Sequence, residues 1–332
     1  MSRLRTIGLL FVLASAALAA QPSEIRLASL TPDGSVWDKA LRQLAADWTK
    51  ASGGSIAVKV FPTGQLGDDR EVVTKIQRLN SPQAAALTVI GLSKIDPAFN
   101  VFAVPFFYAS FDELYDVMDK MTPTMVDKLD KQGFVFLAWG HGGWAQVFTT
   151  TPVKTVADVK KLKLFTSAGD EQMVNVYRAN GFTPRALEVP DILTSLGSGL
   201  IDGMPVPATA ALSYQWFRQT KYMLDIGVAP VIGALVISKK TWTTIPEAAR
   251  EKFMDAARAM ETKLKKDIPV AERTSIEEMK KRGLTVLPAT GPEWKALGEA
   301  FARSMLSTGM VPKDMYDTAV RERDAYRQRK QP

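Results

Sequence analysis

The stretch that decides the fold of this 332-residue chain runs from Asp158 to Pro207 and reads DVKKLKLFTSAGDEQMVNVYRANGFTPRALEVPDILTSLGSGLIDGMPVP. Its apolar alternation and helical spacing predict the order strand, helix, short strand, helix and strand. Ligands of open α/β sheets bind in the crevice beyond the carboxyl ends of the strands. We therefore expect Phe165–Ser167 and Met204–Pro207 to face one cleft.

The rest of the chain continues this alternation of strands and helices. Strands are predicted near residues 24–29, 56–60, 84–90, 134–139 and 228–238, with amphipathic helices between most of them. The chain is long enough for two packed domains. Two strand–helix sets joined by more than one crossover predict an α/β protein with two lobes that close around a small molecule.

Three further segments carry predictions about flexibility. The glycine-rich run Gly140–Trp144 is expected to loosen the backbone where the chain passes between lobes. Pro269 is expected to interrupt the long helix that Pro246 opens. The basic end of the chain is expected to fray, so residues 326–332 are predicted to be a flexible tail.

The N-terminus has the pattern of a secretory signal peptide. Arg3 and Arg5 precede an apolar run from Ile7 to Leu18, and the small residues Ala17–Ala19 suit a cleavage site. The run is too short to span a bilayer, which leaves a buried N-terminal helix as the other interpretation. Removing residues 1–20 lowers the formal charge of +7 by two. We therefore expect an exported, periplasmic protein.

Composition excludes several kinds of site. The chain has no cysteine, so disulfides, thiolate metal sites and a lipid-anchored cysteine are excluded. Its basic residues are scattered opposite acids along helices, which indicates a solvated surface and argues against a nucleic-acid partner. We expect neither a metal nor a cofactor.

The sequence contains none of the common catalytic signatures, such as G-x-S-x-G, H-E-x-x-H or the P-loop. His141 is the only histidine, and in its glycine-rich setting we expect a hydrogen-bonding group of the hinge region. The competing hypothesis is an exported enzyme that uses Asp33, Asp191 or Asp202. Because carboxylates in turns and at helix starts are usually caps, a binding protein is favoured over an enzyme.

Five stretches in chain order resemble the substrate-binding proteins of tripartite ATP-independent periplasmic (TRAP) transporters, the DctP-like family. They are Val60–Gly67 (VFPTGQLG), Val104–Phe107 (VPFF), Gly199–Gly203 (GLIDG), Ser238–Arg250 and Lys280–Val286. The resemblance covers nearly all of the chain after the signal peptide. It implies a two-lobed, class II-like periplasmic binding fold in which each lobe is a mostly parallel sheet flanked by helices.

The resemblance also implies a long helix across both lobes and delivery of a solute to a membrane permease. The lobes are expected at 22–143 plus 230–270 and at 144–229 plus 271–325. Some related systems add a tetratricopeptide-repeat partner, which would suit hydrophobic cargo.

The cleft of this chain departs from the resemblance. The family typically holds an organic carboxylate with two arginines and an asparagine, and the matching positions here are Phe165, Ala145 and Val206. We therefore expect an apolar or amphipathic ligand. The alternative is a carboxylate held by another arginine, such as Arg185. The residues predicted to contact the ligand are Trp37, Phe107, Trp144, Ala145, Gln146, Phe165, Thr166, Ser167, Val206 and Pro207.

Overall fold

The computed structural model describes residues 23–330, so the predicted signal peptide at 1–20 lies outside the described residues. Within these residues there are nine strands: β1 (Ser23–Ser29), β2 (Ile56–Phe61), β3 (Ala84–Thr88), β4 (Phe134–Thr149), β5 (Lys163–Ser167), β6 (Thr183–Leu187), β7 (Gly203–Pro207), β8 (Tyr222–Ser238) and β9 (Thr285–Pro288).

Twelve α-helices lie in the same described range, together with short 3-10 turns. They are α1 (Val36–Ala51), α2 (Asp69–Leu79), α3 (Val89–Ile95), α4 (Phe111–Lys131), α5 (Val156–Lys160), α6 (Glu171–Ala179), α7 (Ile192–Gly197), α8 (Ala208–Ser213), α9 (Lys239–Trp242), α10 (Glu247–Lys281), α11 (Glu293–Ser307) and α12 (Lys313–Lys330). The predicted order of elements between Asp158 and Pro207 is confirmed by β5, α6, β6, α7 and β7.

The strands form one twisted sheet in the order β2-β1-β3-β8-β4-β7-β5-β6, with β9 beside β8. In the first lobe β1 is parallel to β2 and β3, and in the second lobe β5 is parallel to β6 and β7. Strands β4 and β8 are antiparallel to each other and join the two parallel sets. The predicted fold class, two mostly parallel lobes flanked by helices, is thus confirmed.

The crossing between the lobes differs from the prediction for Gly140–Trp144. These residues do not leave the sheet, because β4 runs continuously from Phe134 to Thr149. The register with β8 shifts between His141 and Trp144, as it does where a strand carries a bulge. The glycines therefore permit a bend within a strand instead of a loop.

Helix α10 spans both lobes, as the resemblance implies. In the first lobe the Phe253 ring stacks on the Trp48 ring, with 4.6 Å between the ring centres. The backbone carbonyl of Phe253 accepts the Trp48 indole N–H at 3.0 Å. In the second lobe Met279 belongs to the core that contains Phe165. The prediction that Pro269 interrupts the helix is wrong, since α10 continues through it.

The C-terminal segment also differs from the prediction. Residues 326–330 belong to α12, which packs against α4 of the first lobe. The Arg327 guanidinium donates to both carboxylate oxygens of the buried Glu113, at 2.8 and 2.9 Å. A buried acid with a bidentate partner holds the end of the chain in place. These five residues of the predicted tail are therefore helical, and α12 lies on the first lobe.

Candidate ligand-binding site

A cavity with a volume of about 570 Å³ lies between the lobes of the described chain. The first lobe contributes the β1–α1 loop and the start of α3, and the second lobe contributes the ends of β5 and β7 and helix α8. The middle of β8, around Val228–Ile232, and one face of α10 close the remaining sides. This volume is in the range of small-molecule sites.

The motif that begins at Val60 supports the cavity wall without lining it. Its turn places Thr63 at φ 55°, and the Thr63 N–H donates to the Thr31 carbonyl at 3.0 Å. The Gly64 N–H donates to the Ser29 carbonyl at the same distance. The turn therefore fixes the β1–α1 loop, from which Leu30 and Thr31 face the cavity.

Seven of the ten predicted ligand-binding residues line this cavity: Trp37, Ala145, Phe165, Thr166, Ser167, Val206 and Pro207. The three positions at which the resemblance implies arginine, arginine and asparagine are among them. Of the two strand ends expected to face one cleft, only Met204 is displaced, because it is fully buried in the core of the second lobe.

The other three predicted residues lie away from the cavity. Side chains of a strand alternate between its faces, so Ala145 faces the cavity while Trp144 and Gln146 face away. The Trp144 ring instead packs edge-on against Phe111 of α4, at 5.3 Å. Phe107 is buried beneath α12, with the Arg323 guanidinium 4.3 Å from its ring centre.

Charged groups are scarce on the cavity wall. Within the described residues no arginine lines it, and Lys39 and Asp170 are its only charged side chains. Lys39 is exposed to solvent, whereas Asp170 is buried. Arg185, the alternative predicted from the sequence, is not part of the wall. The buried polar groups on the wall besides Asp170 are Asn100, Thr166 and Ser275, all of them neutral.

Two polar contacts join the lobes across the cavity. The Tyr214 hydroxyl donates to the Leu30 carbonyl at 3.3 Å, and burial raises the pKa of Tyr214 to about 12. Arg70 Nη2 lies 4.0 Å from Asp170 Oδ1. Sequence reasoning missed Tyr214 and Asp170, although Asp170 lies three residues after Ser167, at a strand end that was assigned to the cleft.

A buried carboxylate organises the hinge. Glu272 of α10 accepts the backbone N–H groups of Thr209 at 2.9 Å, Ala208 at 3.3 Å and Trp144 at 3.4 Å. Burial raises the pKa of Glu272, and these three hydrogen bonds oppose the shift. Gly143 has φ +102°, and a Cβ there would lie 2.6 Å from the Glu272 carboxylate carbon. One side chain therefore ties the spanning helix to β4 and to the start of α8.

The His141 side chain does not make the hydrogen bond that was predicted for the hinge region. Its side chain is fully buried against Tyr115, and neither ring nitrogen has a hydrogen-bond partner among the described residues. Burial lowers the pKa of His141 to about 3, with Lys265 adding to the shift, so the ring is neutral at pH 7. The hydrogen bond it makes is through its carbonyl, which accepts the indole N–H of Trp37 at 2.5 Å.

The three acids considered for the enzyme hypothesis lie outside the cavity, and two of them make structural contacts. Asp33 pairs with Arg42 on the surface, and Asp202 accepts the backbone N–H of Lys163 at 2.6 Å. Neither they nor Asp191 lines the cavity. Residues 23–330 hold no group of three or more potential metal ligands, and none of their helices combines the length and apolarity needed to cross a bilayer.

Comparison with known proteins decides the family. Residues 27–308 match the profile of the DctP family, described as bacterial extracellular solute-binding protein, family 7. The chain belongs to this family. Solute-binding proteins of this kind bind small molecules and work with membrane permease subunits, and their location is extracytoplasmic.

Individual relatives of this DctP-family protein are distant. A solute-binding protein of Verminephrobacter eiseniae is 23% identical over 273 residues, which cover 82% of this chain and 81% of the relative. The C4-dicarboxylate-binding periplasmic protein DctP of Rhodobacter capsulatus is 22% identical over 256 residues, 75% of each chain.

Solved structures confirm the fold. A TRAP periplasmic solute-binding protein from Pseudomonas putida with bound D-glucuronate has a TM-score of 0.81 at 24% identity, covering 90% of this chain and 96% of its own. A Bordetella pertussis extracytoplasmic solute receptor binding pyroglutamic acid has a TM-score of 0.83 at 21% identity, covering 91% and 99%.

Proposed function

We propose that this solute-binding protein captures a neutral, apolar or amphipathic small molecule and delivers it to a TRAP-type permease. The observation that carries the proposal is the cavity wall at the three positions where the resemblance implies carboxylate-binding groups. Phe165, Ala145 and Val206 line the cavity there, and no arginine lines it within the described residues.

Free energies favour such a ligand. Enclosing a carboxylate without a paired cation costs several kcal/mol. Burying ~100 Å² of apolar ligand surface contributes about 2.5 kcal/mol. Trp37, Phe165 and Val206 supply apolar wall surface, while neutral groups such as Thr166 can orient a polar end.

In this proposal residues 1–20 direct export to the periplasm, and the lobes close around the ligand there. The partners are the membrane permease subunits and, for hydrophobic cargo, a tetratricopeptide-repeat protein. The chain acts by binding alone. Turnover of any substrate that disappears in Asp33→Asn or Asp202→Asn would instead support the enzyme hypothesis.

A second candidate is an organic carboxylate, favoured by the acids bound in related structures, among them D-glucuronate and pyroglutamic acid. Besides Lys39, which is exposed on the cavity wall, the candidate cation is Arg70, whose buried Nε lacks a hydrogen-bond partner among the described residues. It lies behind Asp170 and is not part of the cavity wall.

Native mass spectrometry of gently purified protein, followed by organic extraction, separates the two candidates. We expect a neutral lipophilic compound to be released. Release of a sugar acid or a dicarboxylate would overturn the proposal and support the second candidate.

A further inference from the structure

Among the described residues Asp170 is the one buried acid on the wall of the cavity, and one oxygen of its carboxylate accepts no hydrogen bond from them. Asp170 is 9% exposed and lines the cavity. Oδ1 accepts the backbone N–H of Met173 at 3.2 Å and so caps α6. No hydrogen bond from the described residues reaches Oδ2.

The arginine behind Asp170 does not complete its hydrogen bonding. Arg70 Nη2 lies 4.0 Å from Oδ1, which is beyond hydrogen-bond distance, although the opposite charges still attract. Burial raises the pKa of Asp170 more than its attraction to Arg70 lowers it, which is the effect expected of a carboxylate short of donors.

A second group of the same wall also lacks a partner. Thr166 is 6% exposed and lines the cavity, and its Oγ1 makes no hydrogen bond within the described residues. Buried polar atoms are nearly always paired in folded proteins. Asp170 Oδ2 is not one of the fully enclosed atoms without a partner, whereas Thr166 Oγ1 is, so Oδ2 is the group that a ligand in the cavity can reach.

We infer that the ligand carries a hydrogen-bond donor, a hydroxyl or an amine, which binds Asp170 Oδ2. This inference rests on the proposed function and names the ligand class more closely: an apolar body with one donor-bearing polar end. Asp170 repels a carboxylate at that end, so it selects against the acids that related proteins bind.

Three probes with one ring skeleton test the inference: 2-naphthol carries a donor, 2-methoxynaphthalene lacks it, and 2-naphthoate carries an anion. Calorimetric titration of the purified protein should rank them in that order. Because a hydrogen bond to a charged group is among the stronger ones, 2-naphthol should bind roughly tenfold more tightly than 2-methoxynaphthalene. 2-Naphthoate should bind at least about tenfold more weakly than either.

Asp170→Asn is the decisive variant, because asparagine caps helices as well as aspartate and the start of α6 is preserved. It should reduce the preference for 2-naphthol to a few-fold and improve 2-naphthoate binding. Asp170→Ser, another good cap without a carboxylate, should do the same. Glu171→Gln is the matched control, since Glu171 is the next residue but is exposed and outside the cavity wall.

The outcomes separate the inference from the proposed function. If both neutral probes bind but neither Asp170 variant changes the ratio between 2-naphthol and 2-methoxynaphthalene, the inference is wrong and the proposed function stands. Tightest binding of 2-naphthoate, or binding of neither neutral probe, overturns both.

Discussion

Replacing Phe165 gives the most direct test of the cavity as a ligand site. Phe165 is 7% exposed and lines the cavity from the end of β5. A fully buried phenylalanine side chain contributes roughly 1.5–3 kcal/mol through apolar burial. If about half of this is shared with a ligand, Phe165→Ala should weaken 2-methoxynaphthalene binding by about 1 kcal/mol, or roughly fivefold.

Phe165→Arg should have a larger effect with a different pattern. The substitution removes apolar wall surface, and binding of the neutral probe must also desolvate the new guanidinium. Binding of 2-methoxynaphthalene should therefore fall below the limit of detection. Binding of 2-naphthoate should improve, because a charge-assisted hydrogen bond contributes about 1.5–3 kcal/mol.

Phe182→Ala is the control for loss of a buried ring. Phe182 is also 7% exposed and lies in the second lobe, but it packs against Tyr177 and Phe301, and Phe182 itself is not on the cavity wall. Both alanine variants should lose a comparable 3–5 kcal/mol of stability. Affinities are therefore measured by calorimetry well below the melting temperature of each. Unchanged 2-methoxynaphthalene affinity in Phe165→Ala would show that Phe165 is not in the site.

Three further predictions concern stability. Glu272→Ala leaves the backbone N–H groups of Thr209, Ala208 and Trp144 without their acceptor, so urea denaturation should show a loss of about 3 kcal/mol in the free energy of unfolding. Glu272→Gln keeps an acceptor and should therefore lose less stability. Burial raises the pKa of Asp69 to about 6, so the wild type should lose at most ~3 kcal/mol of stability as the pH rises from 4 to 7. In Asp69→Asn, the free energy of unfolding measured over the same pH range should not show this decrease. Arg327→Ala leaves the Glu113 carboxylate buried without its cation and should lower the free energy of unfolding by about 3 kcal/mol. Arg327→Lys should recover only part of this stability, because the ammonium cannot make the bidentate contact.

Much of the fold could be predicted from local pattern. The order of elements from Asp158 to Pro207 follows from alternation and helical spacing within each segment, and such patterns are set by neighbours in the chain. The errors at Gly140–Trp144 and Pro269 have a common physical cause. Glycine and proline weaken a strand or helix locally, and tertiary contacts such as those of Glu272 outweigh that weakness.

The candidate site could be predicted only in part. The predicted strands bring Phe165 and Val206 to the cavity wall, but assigning Trp144 and Gln146 to the same wall as Ala145 contradicts the alternation of a strand. That error follows from ending the predicted strand at residue 139, whereas β4 is continuous to Thr149. The contribution of Tyr214 depends on its contact with Leu30 of the other lobe, which no local pattern encodes.

The continuity of β4 and β8 has a mechanical consequence. A hinge of flexible loops swings freely, whereas a two-stranded ribbon resists bending as an elastic element. If lobe closure bends this ribbon, part of the binding free energy would be stored in it and would favour reopening when the ligand leaves. Substitutions at His141 or Gly143, which belong to the bulge region but are not on the cavity wall, should therefore change the residence time of the ligand.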